Sequence, residues 1–98
     1  MSFKNINIIG REYEVFFLDD LKDLVGNCDN DNLKIHIRNG QPPLLETDTV
    51  LHEVVHAIDV AMQLNMSERQ VYCITTGLIA TLKDNQQFLE YLYKALKK

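Results

Sequence analysis

The hydrophobic period of this chain changes once, at Pro42-Pro43, and that change restricts the folds open to it more than any other feature. Before it, apolar residues recur at every second position; after it, at every third or fourth. Tyr13, Val15 and Phe17 alternate within Glu12 to Leu18, and Leu33, Ile35 and Ile37 alternate with Lys34, His36 and Arg38. Both patterns are those of half-buried strands. Phe3 to Ile9 alternates partly, and the Gly10-Arg11 step after it predicts a hairpin. A short helical turn is expected over Asp19 to Val25, then a loop, GNCDNDN, made of turn formers. Asn39-Gly40 ends the strand that follows. Pro42-Pro43 then forces an extended connection, because proline lacks a ladder donor and restricts the residue before it.

Thr47 or Asp48 can cap a helix running to about Leu64, with Leu51, Val55, Ile58 and Met62 forming one core stripe. Asn65-Met66 breaks it. Ser67 and Gln70 have the spacing of a capping box and open a second helix to about Lys83. A third helix, beginning at Asp84 or Asn85, offers Phe88, Leu89, Leu92 and Leu96 to the core. The expected fold is a single α+β domain over residues 1–98: a small antiparallel or mixed sheet of about three strands, followed by three helices.

Composition narrows the function classes. With 46% hydrophobic and 24% charged residues, the chain is neither a disordered tail nor a coiled coil. A net charge of −4 argues against nucleic-acid binding, and the one basic cluster, Lys94, Lys97 and Lys98, is what a helix C-terminus favours. No run approaches the roughly 20 apolar residues of a membrane span, and the start MSFKNINIIG lacks a signal peptide's apolar stretch, so a cytoplasmic protein is expected. Cys28 and Cys73 are read as reduced thiols, since they lack the spacing of a zinc knuckle or redox pair.

Chemistry concentrates in His52-Glu53-Val54-Val55-His56, an HExxH sequence inside the predicted helix. Four helical residues turn through about 400°, so His52 and His56 stand one turn apart on the same side and can direct imidazole nitrogens at one ion. Zinc suits such a pair. Glu53, about 100° around the helix, falls beside the metal, where it can take a proton from water. Shuffling this composition yields about 0.004 chance matches to the motif, so two merely packed histidines are the poorer reading. The third protein ligand is less determined. Glu68 opens the second helix after a short turn and has the length to reach across, although an acid there also offsets the helix dipole. Asp59 lies on the histidine face and is either an alternative ligand or an acceptor that orients an imidazole.

With LHEVVHAID followed by ERQVYCITTGLIATL, the chain resembles the small zincin-like metallopeptidases, most closely phage-encoded HExxH proteins and more distantly the ImmA/IrrE-type peptidases. The resemblance covers roughly Leu33 to Leu82. It implies a minimal zincin-like domain with one Zn2+ per chain, held by His52, His56 and Glu68 in a gluzincin-type site, with Glu53 as catalytic base. It also implies an extended peptide or flexible protein segment as substrate, paired to the edge of Leu33–Arg38, in a host cytoplasm if the protein is phage-encoded. His36 on that strand and Tyr72 one turn beyond Glu68 are candidate oxyanion donors, against the plainer readings of a solvated histidine and a packed phenol. The expected function is zinc-dependent peptide-bond hydrolysis. The alternative is a zinc-stabilised protein-binding module without turnover.

Overall fold

The structure, a computed structural model, describes residues 3–98. Strands β1 (Asn5–Ile8), β2 (Arg11–Leu18), β3 (Gly26–Asp29) and β4 (Lys34–Arg38) precede helices α1 (Pro43–Met62), α2 (Glu68–Asp84) and α3 (Gln86–Leu96). The fold is α+β with a mixed sheet in the order β1-β2-β4-β3, four strands where the sequence suggested about three. β1 and β2 form the expected hairpin, turned by Ile9 and Gly10 at positive φ (49° and 79°). That pair of angles matches the right-handed twist of the flanking strands.

The added strand is β3, drawn from the GNCD that reads as loop. Nothing local makes it a strand. It becomes one by pairing antiparallel with β4, Cys28 opposite Ile35, while Asp29 holds the intervening turn through the backbone N–H groups of Asp31 and Asn32. The other edge of β4 pairs in parallel with β2, so β4 is internal. This corrects the placement of a substrate edge on Leu33–Arg38: that strand has no free backbone edge, and β3 has one. Leu33 itself, at φ 56°, belongs to the turn. Asp19 to Val25 contains a tight turn and no helix.

α1 begins at Pro43, four residues before the predicted Thr47 cap, with Pro42 extended as its N-cap. A proline in the first helical turn has the required φ already and loses no hydrogen bond there. Thr47, expected as a cap, instead donates to the carbonyl of Pro43 one turn back, and Thr49 likewise donates to that of Leu45. The helix is sandwiched. Ala57 joins Ile8, Tyr13, Val15, Ile35 and Ile37 in the core against the sheet, with Val50, Val54 and Ile58 packed around them. Val55 is buried on the opposite side, where Val71 and Thr75 of α2 pack. The predicted single stripe is therefore two faces, and Met62, at its end, is exposed.

The expectation that α3 buries Phe88, Leu89 and Leu96 is not met: no residue of this helix is buried, and it packs only on α2. Thr75 is 1% exposed, and its hydroxyl has no hydrogen-bond partner. Thr75→Val removes that unsatisfied group at nearly constant shape. Thermal denaturation should show a stabilisation of about 1 kcal/mol, or roughly 4–8 °C for a domain of this size.

Candidate metal centre

The α1–α2 turn decides where Glu68 points. Gln63 and Asn65 both take left-handed conformations (φ 55° and 58°), which reverse the chain within a few residues. Asp59 holds the reversal: its carboxylate accepts the Met66 backbone N–H at 3.1 and 3.3 Å, and its carbonyl accepts that of Leu64. Ser67 and Gln70 then form the full capping box, so α2 starts at Glu68. Asp59 is thus a turn anchor. With its oxygens facing Met66, it is neither beside the histidine nitrogens as a ligand nor bonded to an imidazole.

Glu68 Oε1 lies 2.6 Å from His52 Nε2, and Glu68 Oε2 lies 3.1 Å from His56 Nε2. The two Nε2 atoms are 3.2 Å apart. Donor atoms about 2.0–2.1 Å from one ion at the tetrahedral angle stand about 3.3 Å from one another. With Glu68 Oε1 as the carboxylate donor, its 3.4 Å to His56 Nε2 and the 3.2 Å between the two nitrogens already fit, and its 2.6 Å to His52 Nε2 needs less than about 1 Å of opening. One donor atom each from His52, His56 and Glu68 falls within 4.8 Å of the others, a group that could hold a metal ion. Two nitrogens and a carboxylate oxygen make three donors, with a cleft beside them that leaves room for a fourth. Glu68 stays ionised. Desolvation works against its charge, but the hydrogen bond from His52 and the field of His56 outweigh it and hold its pKa below the usual carboxylate range.

Glu53 occupies the sheet side of the same helix, only 6% exposed, beneath β3. Gly26 makes room for it: a Cβ there would stand 2.7 Å from Thr49 Cγ2 and 2.9 Å from Glu53 Oε2. Burial, with some opposition from His56 and reinforcement from the Glu68 charge, pushes the Glu53 carboxyl up to about 7. That is the range in which a carboxyl both accepts and returns a proton near neutral pH. A divalent cation beside it lowers this value by its own charge.

A cleft of about 360 Å³ joins these groups to β3, lined by Leu24, Asn27, Cys28 and Asn30 as well as His52, Glu53, His56 and Glu68. From the sequence, Cys28 reads only as a reduced thiol, and Asn30 is not singled out. The Cys28 thiol is pushed up to about 12, by burial first and then by the Glu53 and Asp29 charges, so it is no nucleophile; both cysteines are free thiols, as expected. Asn30 Oδ1 accepts the hydroxyl of fully buried Tyr13 at 2.7 Å and the Cys28 thiol at 3.6 Å. These two contacts hold the Asn30 amide at the rim of the cleft. The only hint in the sequence was an asparagine in a turn-forming run.

His36 and Tyr72 are not brought to this centre. His36 points to the sheet face opposite the buried Ile35 and Ile37, stacked on Phe16 at 5.4 Å between ring centroids. Tyr72 is exposed and lines a neighbouring groove with Asp48 and Leu45. Among the described residues no helix is long and apolar enough to cross a membrane. No protein-family model, curated protein or solved structure matches the chain.

Proposed function

We propose that this protein is a zinc-dependent metallopeptidase acting in the cytoplasm on an extended or flexible protein segment. The observation that carries this reading is the convergence of His52 Nε2, His56 Nε2 and Glu68 Oε1, which stand 2.6, 3.2 and 3.4 Å from one another, with buried Glu53 opening on the same cleft. His52, His56 and Glu68 would hold the ion, which when bound would polarise a carbonyl and acidify water. Glu53 takes a proton from the attacking water and returns it to the leaving amine nitrogen. The free backbone edge of β3 pairs with the substrate in extended form, as a strand added to the sheet. Asn30, which lines the cleft and is held there by the Tyr13 hydroxyl, takes the oxyanion-donor role in place of His36 and Tyr72.

The test uses an unstructured peptide library with cleavage read by mass spectrometry. Zinc-loaded protein should release fragments, and a chelator should suppress them. Intact peptides at every protein concentration, with one metal still bound per chain, would replace this reading with the zinc-stabilised docking module.

A further inference from the structure

Opposite the metal centre, on the other flank of α1, the molecule is unfinished. A groove of about 630 Å³ runs between the sheet and the helices, lined by Phe3, Phe17, Leu51, Val54, Leu82 and Leu89. Its apolar lining continues onto α3, where Phe88, Leu92 and Leu96 recur on one side of the helix and Leu89 and Tyr93 adjoin them. Leu96 is 78% exposed and Tyr93 63%. A compact monomer of 11.3 kDa exposes about 5,700 Å², whereas this chain exposes 7234 Å². The radius of gyration agrees, 13.7 Å against about 12.6 Å for a compact domain of this length. The excess, about 1,500 Å², is within the roughly 1,000–2,500 Å² that each protomer of an obligate dimer removes from water.

We propose that two copies of this chain associate through this face, with α3 lying antiparallel to its counterpart about a two-fold axis. Charge favours a second copy as the occupant. Asp84 stands just before α3, and Lys97 and Lys98 stand just after it. Among the described residues none of the three has an ion-pair partner within the chain. Antiparallel packing that sets Leu89 of one copy against Leu96 of the other brings Lys97 and Lys98 to within about one helical turn of the other copy's Asp84. The arrangement is self-complementary, as a two-fold interface requires. It also opposes the two helix dipoles favourably.

Sedimentation equilibrium of the full chain at about 50 µM should give a mass between about 1.7 and 2 times that of the monomer, as a dissociation constant at or below about 10 µM requires. Leu96→Glu should return the mass to 11.3 kDa with helix content and metal binding retained, since the substituted side chain is mostly exposed. Lys97→Glu with Lys98→Glu should weaken association by about tenfold or more, and adding Asp84→Lys should restore it. A wild-type monomer at that concentration overturns the proposal. So does a dimer that is indifferent to Leu96→Glu and to the charge reversals. Neither outcome touches the metal centre, whose residues lie on the other side of α1.

Discussion

Purified without added metal, the wild-type chain should carry one divalent ion, and His56→Ala should carry none. The imidazole supplies one of three convergent donors, and a site left with His52 and Glu68 cannot close around the ion. Glu68→Gln replaces a charged donor with a neutral amide oxygen. It should weaken binding by more than the roughly 10–100-fold typical of losing a residue that merely supports a ligand. Asp59→Asn should cost less than that, because the amide oxygen still accepts the Met66 N–H that shapes the turn. Competition with a chromophoric chelator measures all three. Unchanged metal content in His56→Ala, or a greater loss in Asp59→Asn than in Glu68→Gln, contradicts the assignment of ligands.

The second large effect belongs to Glu53→Gln. The amide keeps the shape that fits under Gly26 but cannot accept a proton, so cleavage should fall by about 10²–10⁴-fold while metal content stays at one per chain. Stability should change in the opposite sense. In metal-free wild type the folded state holds the Glu53 proton up to about 7, above the ordinary carboxyl value of 4.5. The resulting stabilisation is complete below the lower value and disappears as pH rises through the upper one. It amounts to about 3 kcal/mol at most. Chelator-treated Glu53→Gln should therefore melt higher than wild type at pH 8, with the gap narrowing towards pH 5. Equal melting curves at both pH values would show that the buried carboxyl carries no such cost.

What was legible in the sequence was local. One helical turn relates His52 to His56, and three residues relate Ser67 to Gln70, so the juxtaposed histidine pair and the start of α2 could be read without knowing the rest of the chain. A break was legible at Asn65-Met66, although the helix expected to reach about Leu64 ends at Met62, and the length of Glu68 then brought it within reach. The remainder depends on distant partners. β3 is a strand because β4 lies beside it, and its turn-rich composition points the other way. The open edge of the sheet could not be read from Leu33–Arg38, because whether a strand is internal is decided by what arrives on its second side. Asn30 is held at the cleft by Tyr13, 17 residues earlier. The apolar side of α3 was visible as a period, but a period says only that a surface wants covering. Here the rest of this chain does not supply the cover.

Gly26 ties the chemistry to strand register. Side chains alternate faces along β3, so Gly26 and Cys28 turn towards α1 while Asn27 and Asp29 turn away. A slip of one residue between β3 and β4 exchanges the two sets. Val25 or Asn27 would then meet the space that Glu53 fills, where even a methyl group collides. The native pairing, Gly26 opposite Ile37 and Cys28 opposite Ile35, is consequently the only neighbouring alignment that admits the buried carboxyl. A misregistered hairpin cannot close over α1, so folding itself proofreads the wall of the cleft.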